Sequence, residues 1–169
     1  MPTILVPMRA NSRLPDACDR IGVISDTHGL VRPEALRALR GSDLIIHCGD
    51  IGEPAVLKAL RTIAPVRAIR GNNDHGGWAD RLPEHRIVKV GSRSIYVLHN
   101  LADLEIDPET RGMTAVLSGH SHKPGIERKG EVLFVNPGSA GPRRFKLPVT
   151  VATLALRHGD WAARIVQLL

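Results

Sequence analysis

The sequence predicts an α/β fold in which two facing, mixed β-sheets are flanked by helices, an αββα sandwich. Apolar runs alternate with short helical patterns over residues 20–74, which is typical of parallel strands joined by right-handed crossovers. After residue 80 the apolar runs follow one another with turn residues between them, which is typical of hairpins. Apolar residues make up 43% of the chain but aromatic residues only 3%, so the core must be aliphatic, which suits strands buried under helices.

The first half of the chain has the pattern strand, helix, strand, helix, strand. "RIGVISD" is a buried strand ending at Asp26, and "RPEALRALRGS" is a helix with Pro33 near its start and Gly41 at its end. "DLIIHCGD" and "EPAVLKALRTI" repeat the pattern, and "PVRAIRGNND" is the third strand. We expect these three strands to pair in parallel.

The second half is predicted to be mostly antiparallel. "HRIVKVGSRSIYVLH" contains two strands joined at Gly91, and "AVLSGH" is a further strand. "PGIERKGEVLFVNPG" is a hairpin that turns at Lys129 and Gly130, and "PVTVATLALRHGDWAARIVQL" is a hairpin that turns at residues 158–160. A chain of 169 residues fits one domain, which we place at residues 20–169. Residues 1–19 contain prolines and no sustained period, and form an N-terminal extension that can be poorly ordered.

The composition of the chain indicates which classes of binding partner to expect. The formal charge of +6 favours anionic partners such as small phosphate esters. The chain has no basic run interleaved with aromatic residues, so nucleic acid is not the expected partner. Only Cys18 and Cys48 are present, which indicates reduced thiols and a cytoplasmic protein, and no apolar run approaches a membrane span. The composition leaves open whether the protein forms a homo-oligomer.

Polar side chains that can bind metal follow five of the predicted strands, in the segments "SDTH", "HCGD", "GNND", "LHN" and "GHSH". Ligands at the carboxyl ends of strands in an α/β sheet converge on one crevice, so residues distant in sequence become neighbours. Taken singly, Asp26 could cap a helix, Asn72 could serve a turn and His99 could be a core histidine. Their joint position favours a metal site with these candidate ligands: Asp26, His28, Asp50, Asn72, His99, His120 and His122.

This set suffices for two divalent ions if one carboxylate bridges them. Nitrogen and oxygen ligands without thiolate suit Mn, Fe, Zn, Co or Ni. Two such ions about 3.5–4 Å apart can generate hydroxide and hold a phosphoryl group. The residues therefore indicate hydrolysis of a phosphate ester.

The segments "SDTHG", "HCGDIG", "GNND", "LHN" and "SGHSHKP", in this order, resemble the calcineurin-like metallophosphoesterases. The pattern of that family is Asp-x-His, Gly-Asp, Gly-Asn-x-Asp/Glu, a single His and Gly-His-x-His. "NPGSAGPRR" is similar to the Asn-Pro-Gly-Ser segment of its small, single-domain phosphodiesterase branch. The resemblance covers nearly the whole chain from Arg20, and it implies a two-metal phosphodiesterase acting on small diesters, with manganese as the first choice of metal.

The resemblance also implies how the ligands are shared. Asp50 bridges the ions, and a hydroxide between them attacks phosphorus in line. The first metal is bound by Asp26, His28 and His122, and the second by Asn72, His99 and His120.

The catalytic candidates are Asp50, Asn72, Asp74 and His75. Many family members have a histidine as proton donor to the leaving group where this chain has Asn73, and neutral Asn cannot act as an acid. His75, two residues further on, could donate the proton in place of that histidine. The alternative interpretation, that His75 is an exposed loop residue without a catalytic role, has equal weight. Asp74 is expected to orient a neighbouring group rather than to bind metal.

Three side chains outside the ligand set are of interest. His47 is expected to be hydrogen-bonded inside the second strand, and Arg143 and Arg144 either contact substrate phosphate or are solvated. Two alternatives to the phosphodiesterase remain. One is a protein-binding scaffold of the same fold that has lost catalysis, as the related retromer subunit is thought to have done, and the other is a nuclease. All seven ligand positions are filled, which favours the enzyme.

Overall fold

The computed structural model describes residues 18–169. The predicted extension over residues 1–19 therefore lies outside the described residues, except for Cys18 and Asp19. The predicted fold class is confirmed, because ten strands form two mixed sheets of five strands each.

In the first half, the described residues form three strands and three short helices. The strands are β1 (Arg20–Ile24), β2 (Leu44–His47) and β3 (Val66–Ala68), and the helices are α1 (Pro33–Leu39), α2 (Pro54–Leu60) and α3 (Gly77–Asp80). Proline begins both α1 and α2, where its missing N–H leaves no helical hydrogen bond unmade.

The second half contains seven strands and a 3₁₀ turn over Leu101–Asp103. The strands are β4 (His85–Val90), β5 (Arg93–Leu98), β6 (Met113–Leu117), β7 (Gly125–Lys129), β8 (Val132–Asn136), β9 (Thr150–Arg157) and β10 (Asp160–Gln167).

The two sheets have the strand orders β10-β9-β1-β2-β3 and β4-β5-β6-β8-β7. The parallel pairing of β1, β2 and β3 is as predicted. In the second sheet only the hairpins β4–β5 and β7–β8 are antiparallel, whereas β6 is parallel to both β5 and β8. The last hairpin, β9–β10, joins the first sheet beside β1. The prediction of a mostly antiparallel second half was therefore right for the three hairpins and for β9 beside β1, and wrong for β6, which is parallel to both of its partners. A period of two identifies a strand but not its partner.

The main core fills the space between the two sheets, with Ile46 of β2 facing Val97 and Leu117 of the second sheet. The adjacent Ile45 points to the other side and packs against Leu39 of α1, as the two-residue period of a strand requires. The outer face of the second sheet is covered by the segment after β5, where Leu104 and Ile106 pack. No helix within residues 18–169 is long and apolar enough to cross a membrane.

Candidate metal centre

All seven candidate ligands lie just beyond the carboxyl end of a strand. The strands β1, β2 and β3 run parallel, as do β5 and β6, so the segments that follow them meet at one end of the sandwich. The ligands follow β1 (Asp26, His28), β2 (Asp50), β3 (Asn72), β5 (His99) and β6 (His120, His122).

Two groups of these side chains are close enough to hold an ion. Asp26, His28 and His122 form the first group, in which Asp26 Oδ1 lies 4.0 Å from His28 Nε2 and 3.2 Å from His122 Nε2. Asp26, Asp50 and His99 form the second group, in which His99 Nε2 lies 3.3 Å from Asp50 Oδ2. Asp50 Oδ2 is also 3.8 Å from His28 Nε2, so this oxygen lies between the two groups.

The remaining two candidates lie on the exposed side of the second group. His120 Nδ1 is 3.2 Å from Asn72 Oδ1, and the His120 ring stands edge-on to the His99 ring with 5.1 Å between their centroids. Asn72 and His120 are both exposed. The structure therefore brings all seven sequence-predicted ligands to one place, with Asp26 contributing to both groups.

Unpartnered buried atoms show that this cluster fits a cation. Asp26 Oδ1, His28 Nε2 and His99 Nε2 are buried, and within the described chain they have no hydrogen-bond partner. A buried polar atom without a partner costs about 1–3 kcal/mol, and a charged one costs more. Because these atoms converge with Asp50 Oδ2 and are nitrogen and oxygen donors, they fit divalent transition-metal ions.

Hydrogen bonds fix which atom of each ligand faces the cluster. Asp26 Oδ2 accepts from the Ser25 hydroxyl at 2.6 Å and from the His120 backbone N–H at 3.0 Å, which turns Oδ1 toward the histidines. His99 Nδ1 lies 2.7 Å from the Cys48 carbonyl oxygen. A carbonyl can only accept, so Nδ1 carries the proton and Nε2 is left as the ligating atom.

The surroundings of Asp50 and His99 favour a charged carboxylate. Burial alone would raise the pKa of the Asp50 carboxyl, but contact with His99 and hydrogen bonds from Asn73 hold this pKa well below its usual range. Burial alone would lower the pKa of His99, but Asp50 and the Cys48 carbonyl raise it above its ordinary value. An ionised Asp50 has the charge that a ligand between two cations needs.

Asp74 is buried and supports the backbone around the ligands. Its carboxylate accepts from the N–H groups of Ile51 at 3.2 Å, Gly52 at 2.9 Å and Gly71 at 2.9 Å. These bonds join the turn that follows Asp50 to the turn that precedes Asn72. Asp74 therefore positions these turns, as an orienting residue should.

His75 is exposed, and within residues 18–169 it has no hydrogen bond or ion pair with a candidate ligand. Arg143 and Arg144 are exposed in the turn over residues 142–147. Burial lowers the pKa of His122; the charge of Asp26 opposes this effect and the charge of Arg144 adds to it.

The backbone at the ligands is strained. Five of the seven candidates, and only two other non-glycine residues among those described, have a positive φ. Such a conformation costs an L-residue about 1–3 kcal/mol and concentrates at functional sites. The five ligands, with φ between 47° and 70°, are Asp26, His28, Asp50, His120 and His122.

Gly119, directly before His120, allows two turns to approach closely. Its φ is not among the positive values of the described chain, so a left-handed backbone does not explain the glycine. A Cβ at this position would overlap Ser25 Oγ and lie 2.6 Å from Asp26 Oδ2. Gly119 is thus required for close approach of the β6 turn to the Asp26 carboxylate.

His47 is buried and fully hydrogen-bonded, as expected. Its Nε2 lies 3.0 Å from the Thr27 hydroxyl, which donates to the Ile51 carbonyl at 2.8 Å, and its Nδ1 accepts from the Gly49 N–H at 3.1 Å. Burial, with a further contribution from His99, lowers the pKa of His47 to about 3. The neutral ring therefore joins the turns after β1 and β2. The sequence did not predict the supporting roles of Ser25 and Thr27, because neither residue belongs to a motif with a characteristic spacing.

The fold and the convergent aspartate and histidine side chains fit the metallophosphoesterase class of proteins. Residues 20–159 match the sequence model of the calcineurin-like phosphoesterase superfamily domain, and the chain belongs to this family.

Two relatives show how far the similarity extends. A probable metallophosphoesterase of Methanothermobacter thermautotrophicus is 34% identical over 159 residues, which cover 87% of this chain and 91% of the relative. A phosphodiesterase of Methanocaldococcus jannaschii is 28% identical over 138 residues, covering 70% of this chain and 82% of the relative.

Solved structures share the fold at lower identity. A structure described as a novel archaeal phosphodiesterase superposes with a TM-score of 0.72 at 22% identity, covering 87% of this chain and 99% of that one. Vps29 of Chaetomium thermophilum superposes with a TM-score of 0.70 at 19% identity, covering 88% of this chain and 96% of that one. At these identities the similarity establishes the fold.

Proposed function

We propose that the protein is a two-metal-dependent phosphodiesterase that hydrolyses small phosphodiesters. One observation carries this proposal: buried, unpartnered atoms of Asp26, His28 and His99 converge around Asp50 Oδ2. Family membership makes phosphoester hydrolysis the chemistry to expect, and a relative named a phosphodiesterase favours diesters.

In this proposal Asp26, His28 and His122 would hold the first ion, and Asn72, His99 and His120 would hold the second. Asp50 Oδ2 lies between the two ligand groups, 3.8 Å from His28 Nε2 and 3.3 Å from His99 Nε2. Bound divalent ions supply Lewis acidity, which activates water and neutralises charge on the phosphoryl oxygens. We take manganese as the first choice, with Ni, Co, Fe and Zn as alternatives.

The protein's own residues then perform three tasks. Asn73 orients Asp50 through its backbone N–H and its side-chain amide. The Cys48 carbonyl holds the His99 ring with Nε2 toward Asp50 Oδ2. Asp74 keeps the two ligand-bearing turns together. These contacts preorganise the cluster, so little rearrangement is needed when substrate binds.

Protonation of the leaving group is the task with no assigned side chain. Asn73 cannot give up a proton, and its amide is already used on Asp50. His75, the substitute proposed from sequence, is exposed. We therefore propose that solvent protonates the leaving group and that the enzyme favours esters with stable leaving groups.

The test is hydrolysis of bis(p-nitrophenyl) phosphate and p-nitrophenyl phosphate by metal-stripped protein to which Mn, Ni, Co, Zn or Mg is added separately. We expect turnover to return with a transition metal, and kcat/KM to be higher for the diester. Failure of every metal to restore diester hydrolysis, although two ions bind, would reject the proposal.

The similarity to Vps29 supports a second candidate, a protein-binding scaffold of the same fold. This candidate predicts metal binding without turnover in the same assay. The presence of all seven candidate ligands in one cluster favours the enzyme over the scaffold.

A further inference from the structure

A groove of about 690 Å³ opens beside the second ligand group. Asn72, His99 and His120 line the end nearest the candidate metal centre. The His99 side chain is only 7% exposed, and its Nε2 is buried without a partner. The groove is therefore continuous with the place where the phosphoryl group is proposed to react, and its volume lies within the range of small-ligand sites.

The floor of the groove is apolar. Tyr96 and Leu98 of β5 and Leu104 and Ile106 of the following segment all line it. Tyr96 stacks on His85, with 5.8 Å between ring centroids and 21° between ring planes. Such a surface can pack against carbon atoms of an organic group, and an aromatic face also attracts a cation.

The rim of the groove is acidic. Glu84, Asp103 and Glu105 line it. Arg70 is the one lysine or arginine among the described residues that line the groove, and it is ion-paired with Glu84 at 3.0 Å and with Asp80 at 3.6 Å. The groove thus carries excess negative charge in a chain whose formal charge is +6.

The other side of the ligand cluster is basic. Gly141 packs on the backbone of Asp26 and Thr27, and its carbonyl accepts from Arg32 Nη2 at 3.1 Å. The exposed turn that follows contains Arg143, Arg144 and Lys146. The two sides of the candidate metal centre therefore differ in charge.

We propose that the groove binds one ester group of the diester substrate, and that it selects an uncharged or cationic alcohol group over an anionic one. This inference rests on the proposed diesterase function and specifies its substrate class. The apolar floor packs against the carbon atoms of the alcohol group, and the carboxylates on the rim attract a cation and repel a second anion. Polyanionic nucleic acid is disfavoured for the same reason.

A matched substrate series tests the charge selectivity. Three p-nitrophenyl diesters share one leaving group and carry ethyl, choline or 3-carboxypropyl as the second ester group. For the manganese-loaded protein we expect kcat/KM for the choline ester to equal or exceed that for the ethyl ester. The carboxypropyl ester should be about tenfold worse.

Removing charge from the rim should reduce this selectivity. In the double variant Asp103→Asn, Glu105→Gln, we expect the choline-to-carboxypropyl ratio of kcat/KM to fall about two- to fivefold. Glu131→Gln removes an equally exposed charge in the β7–β8 turn, which does not line the groove, and should leave the ratio unchanged. Equal ratios in the double variant and in Glu131→Gln would overturn the proposal.

Binding can be measured without turnover, because Tyr96 is the only tyrosine of the chain. Phosphorylcholine should shift the ring resonances of labelled Tyr96 and saturate at lower concentration than 3-carboxypropyl phosphate does. Ala102→Trp adds bulk at a groove-lining position outside the ligand set and should weaken phosphorylcholine binding at least tenfold. Ala162→Trp adds the same bulk at an exposed position of β10 that does not line the groove, and should leave binding unchanged. Absence of any Tyr96 shift would reject the groove as the binding site.

The outcomes separate this inference from the proposed function. Equal hydrolysis of all three diesters would leave the diesterase intact and reject the groove selectivity. Saturable, charge-selective binding at Tyr96 without hydrolysis under any metal would support the groove and reject the diesterase.

Discussion

Asn73 holds the Asp50 carboxylate at both oxygens, with its backbone N–H 2.9 Å from Oδ1 and its side-chain amide 3.0 Å from Oδ2. The residue at the position where many family members have a proton donor thus donates two hydrogen bonds to a candidate ligand. Asn73 stands where many family members have histidine, and its neutral amide cannot act as an acid. The proton for the leaving group must therefore come from another source.

The first prediction is a steep dependence of diester hydrolysis on the pKa of the leaving group. A poor alkoxide must depart with only solvent to protonate it, so aryl esters should react quickly and alkyl esters slowly. A series of methyl aryl phosphates with graded phenol pKa values measures this slope. A flat dependence would show that another acid is present. The same series measured on His75→Ala would then show whether His75 is that acid.

Asn73→His should reduce that dependence by introducing an acid. We expect the variant to gain most on poor leaving groups, by up to about 10²–10⁴-fold, the usual contribution of general acid catalysis. Asn73→Ala serves as the control, because it loses the 3.0 Å bond to Asp50 and gains no acid. Equal effects of the two variants across the series would argue against the proposed role of Asn73.

The second prediction separates the two ions. His28 lies in the first ligand group, and His120 lies beside Asn72 and the His99 ring on the exposed side of the second group, so each Ala variant should lose one ion preferentially. Calorimetric titration with Mn should show one strong and one weakened site in each case. Loss of both ions to the same extent from both variants would be inconsistent with this pairing.

The third prediction concerns Asp74 and stability. Its buried carboxylate accepts three backbone N–H groups, so Asp74→Ala should lower the free energy of unfolding of the metal-free protein by about 2–4 kcal/mol. Asp80→Asn is the control, since that exposed carboxylate has only a 3.6 Å ion pair with Arg70. A change no larger than that of the control, measured by urea unfolding, would contradict the positioning role.

The fourth prediction is a dependence of stability on pH that originates at His47. Its pKa is lowered to about 3 in the folded protein, so between about pH 6.5 and 3 the unfolded state binds a proton that the native state does not. This contribution to stability is present above pH 6.5 and is lost as the pH falls, at up to about 1.4 kcal/mol per unit.

Urea unfolding of the metal-free protein at pH 7, 6 and 5 measures this effect. His47→Gln removes the titrating group, so the variant should lose less stability than the wild type between pH 7 and pH 5. An identical pH dependence in both proteins would assign the effect to other groups.

Much of the fold and of the site could be predicted because both follow from local sequence. Apolar periods located the strands, and polar residues directly after them located the seven ligand candidates, since the carboxyl ends of parallel strands meet. The partners of β6 and β9 could not be predicted in this way, because an apolar period locates a strand but does not record which strand it pairs with or in which direction.

The finer geometry of the site was also beyond sequence reasoning. The contacts of Asp74 with three amides, and the overlap that requires Gly119, depend on the close approach of separate turns. The groove beside His99 is formed by β5 and by the 100–106 segment, whose individual residues carry no motif. Sequence reasoning proposed the candidate ligands, whereas the structure was needed for the contacts that orient their side chains.

The most direct test of the two-metal account is the Mn content of Asp50→Asn, measured together with its turnover of bis(p-nitrophenyl) phosphate. The position of Asp50 Oδ2 between the ligand groups predicts two Mn ions per chain in the wild type. In the variant, weakened binding at both sites and loss of hydrolysis are expected, while Asp80→Asn should behave as the wild type does. Two tightly bound ions and wild-type turnover in Asp50→Asn would contradict the account.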